Sequence, residues 1–400
     1  MTNNQTHSNR RISVVLPCLN EEESVGKVVD AAKQGAARLG LECEVIVVDN
    51  GSTDKSAEVA TAHGARVIHE PNRGYGSALR KGFAAAKNDI LVMGDADMSY
   101  DFTRIDILVQ PILDGEADFV MGNRMKSIKP GAMPILHQYI GNPVLSFMLR
   151  VMFRNNSVHD SHCGLRAITK EAYNRLQCVT TGMEFASEMV IRAMRIKLRI
   201  VERDIILSPR LGESKLMTFK DGWRHLRFML LHSPTVTMLL PGIICWVLGL
   251  LISLPLAFGP IQIGERTFDI HCMLAGGVLN IISIQIITIG LLAKAYAHLT
   301  GLHRDPIVAK CYQWFTFEKM SLISGLVLLI GLLLALKVVF QWAGDGFGEL
   351  DEPRLLFLAV ILLVNGVQIA AASYLFSIMA LPRHIDNMPP DLKSTGLSDL

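Results

Sequence analysis

Four long apolar stretches near the C-terminal end constrain the fold of this chain more than any other feature of its sequence. They cover residues 236–258, 273–297, 320–340 and 355–381. Each can cross the hydrocarbon core of a bilayer, which takes about 20 helical residues. Because four such stretches are rare in one soluble protein, the sequence predicts an α-helical transmembrane domain of four spans at residues 234–382, rather than buried helices of a soluble fold.

The charges around these stretches predict their orientation. The segments before the first span, between the second and third, and after the fourth carry Lys and Arg, whereas the other two connections carry acids such as Glu265 and Asp345. Cytoplasmic loops are enriched in Lys and Arg. We therefore expect both termini, a tail at residues 383–400 and everything before residue 234 to be cytoplasmic. The basic residues concerned are Arg210, Lys215, Lys220, Arg224, Arg227, Lys294, Arg304, Lys310, Lys319, Arg383 and Lys393.

Two shorter segments are basic, aromatic and amphipathic. Residues 218–232 include Trp223 among Lys and Arg, and residues 143–154 place Arg150 among large apolar side chains. Helices of this composition lie in the headgroup plane of a membrane, although ordinary core helices are the alternative. We expect residues 216–233 to form an amphipathic juxtamembrane helix.

The chain before this helix has the pattern of a soluble α/β domain at residues 11–215. Alternating strand and helix signals predict a mostly parallel, doubly wound, Rossmann-like sheet. The predicted strands are 12–16, 44–48, 66–69, 90–93 and 118–121, and the predicted helices are 22–39, 54–63, 74–87 and 103–113. Residues 1–10 are polar, so we expect them to be disordered and to contain no signal peptide.

The net charge and the spacing of the cysteines bear on the partners and the cellular compartment of the protein. The net charge is only +2, which gives no reason to expect a nucleic-acid partner. The seven Cys show no C-x-x-C pair and no zinc-like spacing, which suits a reducing compartment.

Polar residues collect after the predicted strands, at the edge of the sheet where ligands bind in such folds. Asp95 and Asp97 follow one apolar strand, and Asp49 follows its neighbour. Two carboxylates one residue apart repel each other unless a cation lies between them, and a hard divalent ion such as Mg2+ also bridges carboxylates to phosphates. Asp49 can accept a hydrogen bond from a nucleotide base or ribose, or it can cap the turn before Ser52.

These motifs, in their order along the chain, resemble a known family. Residues 14–22, 47–54 and 94–97 resemble the nucleotide-sugar-binding core of the family-two inverting glycosyltransferases, which have the GT-A fold. Three later motifs, at residues 120–124, 160–166 and 209–215, resemble the polyprenyl-phosphate sugar synthases, such as dolichyl-phosphate mannose and glucose synthases. The resemblance covers about residues 11–232.

The resemblance implies roles for individual residues. Asp95 and Asp97 are expected to hold Mg2+ or Mn2+ on the donor diphosphate, although Ser99 stands where mannose-type relatives often carry a further Gln ligand. The residues expected to hold the nucleotide sugar are Pro17, Leu19, Glu21, Asp49, Asp95, Ala96 and Asp97. Those expected to gather donor and acceptor phosphate oxygens are Arg124, Arg210, Ser214 and Lys215. Attraction to a membrane surface is the alternative for Arg210 and Lys215.

The expected reaction is an in-line attack by a polyprenyl phosphate on the anomeric carbon, with inversion. An anionic phosphate needs little or no general base. Asp97, Arg124 and Asp160 are the predicted catalytic residues; Asp160 could orient the sugar or act as a base, or be a loop carboxylate. Glu184 and Glu188 could contact substrate or form a solvated helix face.

The sequence leaves alternatives for the identity of the sugar donor and of the acceptor. Cys163-Gly164 after Asp160 resembles the dolichyl-phosphate glucose synthase form of this loop more than the mannose form. This resemblance favours UDP-glucose as the donor, with GDP-mannose next and UDP-N-acetylhexosamines as a further alternative. A glycolipid or polysaccharide acceptor, and a scaffold or flippase without enzymatic activity, are alternatives. A polysaccharide synthase usually carries Q-x-x-R-W, which does not occur here. The sequence does not fix whether the protein forms a homo-oligomer.

Overall fold

The computed structural model describes residues 11–153, 155–212, 218–299, 317–348 and 352–380. The chain divides into two compact units, Met1–His232 and Ser233–Leu400.

A seven-stranded sheet forms the centre of the first unit. Its strands are Arg11–Cys18 (β1), Glu42–Asp49 (β2), Arg66–His69 (β3), Ile90–Met93 (β4), Phe119–Asn123 (β5), Arg166–Thr169 (β6) and Ile200–Asp204 (β7). The spatial order is β3-β2-β1-β4-β6-β5-β7. All neighbours are parallel except β6, which runs antiparallel between β4 and β5. The carboxyl ends of β1, β2, β4 and β5 therefore lie at one edge of the sheet.

Helices cover both faces of this sheet. They are Val25–Ala37 (α1), Ser56–Ala62 (α2), Tyr75–Ala85 (α3), Asp106–Leu113 (α4), Asn142–Phe153 (α5), Lys170–Leu176 (α6), Phe185–Arg195 (α7) and Thr218–His232 (α8). Successive strand residues point to opposite faces, so Val14 and Leu16 join one core cluster with α1 and α4, while Val15 joins a second with α3 and α7. The predicted doubly wound α/β architecture is confirmed.

The five predicted strands and four predicted helices are all present, with small shifts at their ends. The helix predicted from residue 22 begins at Val25, because the amides of Ser24 and Val25 both donate to the carbonyl of Glu21 and form a turn there. Strands β6 and β7 were not predicted. Both are short and contain charged residues, which hides the alternation of a strand.

Four long apolar helices make up most of the second unit. They are Leu240–Leu256 (α9), Ile270–Leu299 (α10), Phe317–Gly344 (α11) and Pro353–Ala380 (α12). With one additional turn before α9, the membrane-spanning candidates are Thr235–Leu256, Ile270–Ala297, Phe317–Gly344 and Pro353–Met379. The four predicted spans are thus confirmed by length and composition. An antiparallel hairpin, Ile261–Ile263 (β8) with Arg266–Phe268 (β9), joins α9 to α10 and was not predicted.

Glycines bring the helices of the second unit close together. A Cβ on Gly249 of α9 would lie 2.8 Å from the carbonyl oxygen of Gly276 on α10. A Cβ on Gly277 would lie 2.5 Å from Phe357 and from Ile361 on α12. Small residues at helix contacts are typical of membrane proteins, because packing rather than the hydrophobic effect drives association there.

The first prediction concerns the packing of α3 on the sheet. A Cβ on Gly82 would overlap with Cγ1 of Val15 and lie 2.9 Å from Cγ2 of Val48. Overpacking of this kind costs about 1–3 kcal/mol, so Gly82→Ala should lower the thermal unfolding midpoint of the full-length protein in detergent.

Gly222→Ala in α8 is the matched control, because no described atom outside the helix lies within 4 Å of the added carbon. It should leave the midpoint unchanged or raise it, since Ala favours a helix over Gly. Equal midpoints for the two variants would contradict the packing argument.

Candidate active site

The loops after β1 and β2 are held together by hydrogen bonds at the carboxyl edge of the sheet. Asn20 Oδ1 accepts from the amide of Thr53 at 2.7 Å, and the amide of Asn20 donates to Ser52 Oγ at 3.0 Å. The amide of Glu21 donates to Ser56 Oγ at 2.7 Å. These hydrogen bonds hold the segment that contains Glu21 beside the segment that follows Asp49.

Asp49 is buried at the end of β2. One carboxylate oxygen accepts from the amide of Ser52 at 3.1 Å, and the other lies 3.0 Å from Nδ1 of His69. Burial opposes ionisation of this carboxyl, but the hydrogen bonds from Ser52 and His69 outweigh it and hold its pKa below the ordinary value. The capping role considered from the sequence is therefore present, and it leaves Asp49 ionised at the edge of the site.

Asp97 contacts a nearby backbone amide and an arginine from a distant part of the chain. Its Oδ1 accepts from the amide of Ser99 at 2.9 Å, and its Oδ2 lies 3.0 Å from Nη2 of Arg210. The same Arg210 nitrogen lies 3.7 Å from Oε1 of Glu21. Three predicted site residues from distant parts of the sequence, Glu21, Asp97 and Arg210, are thus brought together.

The surroundings of Asp95 shift the pKa of its carboxyl group. Burial and the negative charge of Asp97 raise the pKa of its carboxyl to about 6, although a hydrogen bond from Tyr75 and the charges of Arg124 and Arg210 act in the opposite direction. Burial and a neighbouring negative charge both disfavour the ionised form of a carboxyl. A divalent cation beside the two carboxylates would favour their ionised forms.

The space and the donor atoms around Asp95 fit such an ion. Gly164 faces the carboxylate, and a Cβ there would lie 2.9 Å from Asp95 Oδ2, so the glycine keeps room beside that oxygen. Among the residues that the structure describes, no group of three or more His, Cys, Asp or Glu side chains gathers at one metal position. Mg2+ is commonly bound by one or two carboxylates together with waters and substrate phosphates, so two carboxylates suffice.

Arg124 and Asp160 form a buried, two-pronged ion pair at the end of β5. Arg124 Nε donates to Asp160 Oδ2 and Nη2 donates to Oδ1, both at 2.7 Å. The backbone amide of Arg124 donates to the same carboxylate at 3.0 Å. Burial opposes the charge on Asp160, but Arg124 more than compensates and lowers the pKa of the carboxyl. Arg124 Nη1 also lies 3.4 Å from the hydroxyl of Tyr100, which accepts from the amide of Gly164 at 2.9 Å.

The loop before β6 is supported by two residues that the sequence analysis missed. Glu202 on β7 accepts from the amides of His159 and Asp160 at 2.6 and 2.9 Å. Arg166 is fully buried and donates to the carbonyls of Ser161, Cys163 and Ala186. The role of Glu202 could have been suspected from the sequence, because it is an acidic residue directly after the β-branched pair Ile200-Val201. No sequence pattern indicates that Arg166 is buried, because its hydrogen-bond acceptors are backbone carbonyls, which every residue has.

Two loop residues of the site adopt left-handed backbone conformations. Asn20 has a φ of 52° and Met98 a φ of 65°. Asn tolerates this region, whereas a residue such as Met pays about 1–2 kcal/mol for it. Strained residues of this type cluster where function requires a fixed geometry, and Met98 directly follows Asp97.

Some of the remaining predicted site residues lie in the described part of the structure, and others lie outside it. Pro17 lies in β1, Leu19 follows it, and Ala96 is buried between the two aspartates. Ser214 and Lys215 lie outside the described residues. The full burial of Asp160 places it beneath Arg124, so its direct contact with the sugar stays a prediction.

The interpretation of Glu188 as part of a solvated helix face is wrong. It is buried, accepts from the amides of Val179 and Thr180, and lies 2.7 Å from Nε of Arg192. It therefore forms no solvated face, and its contact with substrate stays a prediction.

Comparisons with known proteins match both halves of the chain to family models. A family model described as Glycosyl transferase family 2 matches residues 13–177, and one described as Glycosyltransferase family 2 C-terminal transmembrane region matches residues 291–380. The low-salt glycan biosynthesis hexosyltransferase Agl6 of Haloferax volcanii is 36% identical over 365 residues, covering 91% of this chain and 88% of that protein. A dolichyl-phosphate hexose transferase of the same organism is 32% identical over 216 residues, covering 53% of this chain and 89% of its own.

Among solved structures, glucosyl-3-phosphoglycerate synthase of Mycobacterium tuberculosis in complex with Mn2+, uridine diphosphate and glucosyl-3-phosphoglycerate is similar. It is 27% identical to this chain, and the match covers 55% of this chain and 79% of that one, with a TM-score of 0.45.

The mixed Rossmann-like sheet with acidic residues at its carboxyl edge defines a glycosyltransferase of the GT-A type, followed by four helices able to span a membrane. The chain belongs to glycosyltransferase family 2. The resemblance to this family, the enzyme class and the fold class stated from the sequence are confirmed, and the protein is a membrane protein.

The second prediction concerns the buried ion pair. Asp160→Asn keeps the shape of the side chain but leaves the Arg124 guanidinium buried without a counter-ion. Breaking a buried pair in this way costs about 3–5 kcal/mol. The thermal unfolding midpoint of the variant should therefore fall by many degrees, and sugar transfer should fall with it.

Asp118→Asn is the matched control. Asp118 makes the same two-pronged contact with Arg199, at 2.6 and 3.1 Å, but the arginine side chain there is 58% exposed. An exposed pair contributes about 0–1 kcal/mol. A fall in midpoint as large as that of Asp160→Asn would contradict the importance of burial.

Proposed function

We propose that the protein transfers a hexose from a nucleotide-diphosphate sugar to a polyprenyl phosphate at the cytoplasmic face of the membrane. UDP-glucose is the favoured donor and GDP-mannose the next. The product is a β-linked polyprenyl-phosphate sugar. The observation that carries the proposal is the meeting of Asp95 and Asp97 with Arg124 and Arg210 at one edge of the sheet.

This mixture of charges suits two phosphorylated substrates. Donor and acceptor are both anionic and repel each other, so positively charged side chains are needed where they meet. Arginine forks match phosphate oxygens in geometry as well as in charge. Arg210 is the better placed of the two for direct contact, because its side chain is 26% exposed whereas that of Arg124 is 10% exposed. Ser214 and Lys215, a few residues further along the chain, are proposed to add to the same phosphate contacts.

The nucleotide is proposed to lie across the ends of β1 and β2. Pro17, Leu19 and Glu21 on the first loop and Asp49 on the second would hold it. The hydrogen bonds between these two loops keep the contacts in fixed positions before the donor arrives. Preorganisation of this kind lowers the entropy cost of binding.

The chemical step needs no strong base. An acceptor phosphate oxygen forms a bond to the anomeric carbon while the bond from that carbon to the nucleoside diphosphate breaks, and the electron pair leaves on the diphosphate oxygen. Attack from the side opposite the leaving group converts an α-linked donor into a β-linked product. Arg210 stabilises charge on the leaving diphosphate, and Asp160 positions Arg124 for the acceptor phosphate.

Asp95 and Asp97 are the residues that would hold Mg2+ or Mn2+ on the donor diphosphate. The ion, when bound, supplies positive charge to the leaving group. The polyprenyl acceptor is supported by the Haloferax volcanii dolichyl-phosphate hexose transferase, whose name describes that acceptor class.

The third prediction tests this reaction directly. The full-length protein in detergent is incubated with polyprenyl phosphate and a panel of radiolabelled nucleotide sugars, with Mg2+ or Mn2+ and with EDTA. One donor should give a lipid-extractable, acid-labile product that EDTA abolishes. Asp97→Ala should lower its rate at least a hundredfold, because charge stabilisation at a leaving group is worth several kcal/mol.

Asp114→Asn serves as the control for this series. Asp114 is an exposed carboxylate at the end of α4, whose Oδ1 accepts from Gln110 at 2.8 Å. Its loss should leave the rate unchanged. Absence of a lipid product from every donor, in protein that still binds nucleotide, would reject the polyprenyl-phosphate acceptor and favour a glycolipid or polysaccharide.

The fourth prediction concerns orientation. With both termini cytoplasmic, a green fluorescent protein fused after Leu400 should fluoresce and an alkaline phosphatase fused there should be inactive. Fusions within the connection between α11 and α12 should give the reverse pattern, because that connection carries acidic residues. The reverse result at both sites would place the catalytic unit outside.

A further inference from the structure

Three amide side chains lie near the middle of the membrane-spanning helices. Asn365 and Gln368 belong to the candidate span Pro353–Met379 on α12, and Gln285 belongs to Ile270–Ala297 on α10. The hydrocarbon core of a bilayer offers no hydrogen bonds, so an amide at this depth needs a partner inside the protein or in another chain. Polar residues within spans therefore mark functional sites or helix contacts.

None of these three side-chain amides has a hydrogen-bond partner in the part of the chain that the structure describes. The oxygens of Asn365 and Gln368 are buried and accept no hydrogen bond from a described group. Gln285 differs from them, because it is exposed on the surface of α10. All three amides consequently keep unused donors and acceptors in the apolar part of the protein.

The helices of the second unit are arranged in a row. Extensive contacts join α9 to α10, α10 to α12 and α12 to α11. Among the described residues, no contact of this extent joins α9 to α11, so these helix contacts do not close the row into a ring. Within this unit, the central helices α10 and α12 therefore have helix neighbours on two sides only, and the groove between them is open on the faces of the row.

Two contacts show that α10 and α12 run in the same direction. Asp269 directly precedes α10 and lies 2.5 Å from Arg354 at the start of α12. Further along both helices, Gly277 packs closely against Ile361. Because each residue of a helix adds the same rise, residues that follow this contact at equal spacing on the two helices lie at equal depth in the membrane.

This register places the amides of the two helices at one depth. Gln285 follows Gly277, and Gln368 follows Ile361, by about two helical turns in each case. Asn365 lies about one turn beyond Ile361, so Asn365 and Gln368 continue the side of α12 that faces α10. The three amides and the space between them are called the amide groove below.

We propose that the amide groove binds a second copy of this chain within the membrane. An amide both donates and accepts hydrogen bonds, so the three amides of one copy complement the same three amides of the other. A two-fold axis along the membrane normal keeps both copies in one orientation and brings their amides together at equal depth. An acyl or prenyl chain cannot satisfy the amides, because it has no hydrogen-bonding atom at this depth. The second unit alone builds the contact, which therefore does not rest on the proposed function.

The fifth prediction measures this association by energy transfer. The full-length protein, fused after Leu400 to a donor or an acceptor fluorescent protein, is reconstituted into phosphatidylcholine vesicles over a range of protein-to-lipid ratios. Energy transfer should fall as added lipid dilutes the protein. Gln285→Leu combined with Gln368→Leu should raise the apparent dissociation constant about tenfold, because hydrogen bonds between the two copies are lost.

Gln341→Leu is the matched control. It replaces an exposed glutamine near the end of α11 by the same residue, away from the amide groove, and should leave the dissociation constant unchanged. Gln285→Asn keeps a shorter amide and should associate more tightly than Gln285→Leu. The Leu variants make the spans more apolar, so insertion into the membrane is retained.

Cross-linking locates the contact on the helices. In a variant whose seven cysteines are replaced by serine or alanine, Gln285→Cys should form a disulfide-linked dimer when the vesicles are mildly oxidised. Leu329→Cys is the control, because Leu329 is 51% exposed near the middle of α11, outside the amide groove. It should stay monomeric under the same conditions.

Several outcomes overturn the inference. Protein that stays monomeric at every protein-to-lipid ratio lacks the contact. Leu variants that associate like the unmodified protein, or cross-linking at position 329 in place of position 285, would show that the amides do not form it. Association in a protein that transfers no sugar would leave the contact standing while rejecting the proposed function.

Discussion

The buried ion pair between Arg124 and Asp160 is the interaction on which the rest of the site depends. Each charge is stable away from water only because the other lies within hydrogen-bonding distance. The pair joins the end of β5 to the loop before β6, and Glu202 holds that loop from the neighbouring strand. Through Tyr100 the same guanidinium reaches Gly164, which borders the carboxylate of Asp95. The position of one arginine therefore determines the shape of the space beside the predicted metal ligands.

Arg124 and Arg210 differ in their exposure and in their hydrogen-bond partners, and this difference gives them different roles in the site. Arg124 is enclosed and uses most of its donors within the protein, so it maintains geometry. Arg210 is more exposed, lies 3.0 Å from Asp97 and has a buried Nε that finds no acceptor among the residues that the structure describes. A buried donor without an acceptor costs about 1–3 kcal/mol. Arg210 therefore keeps hydrogen-bonding capacity that an incoming phosphate can satisfy.

The sequence predicted the parts of the fold and the site that follow from local patterns. Long β-branched runs marked β1 and β2, and polar residues directly after strands marked Asp49, Asp95 and Asp97, because the geometry of a parallel sheet brings those positions together. Four-residue β6 was missed, since an antiparallel strand with an arginine has little pattern. The burial of Glu188 could not be read from sequence either. Its partners Val179 and Thr180 are supplied by the tertiary fold, and its partner Arg192, one turn along the same helix, is equally compatible with an exposed ion pair.

On the proposed function, the contact between Asp97 and Arg210 would link the binding of two ligands, the divalent cation and the donor diphosphate. A cation that arrived alone would attract Asp97 away from Arg210 and leave the guanidinium without its partner. A diphosphate that arrived alone would attract Arg210 and leave Asp97 without its partner. A metal–diphosphate complex would replace both partners at once, so the affinity for each component would rise when the other is present, by the same factor in both directions. The internal ion pair would then make the site selective for the intact complex over either half, a form of cooperativity that needs no movement of the fold.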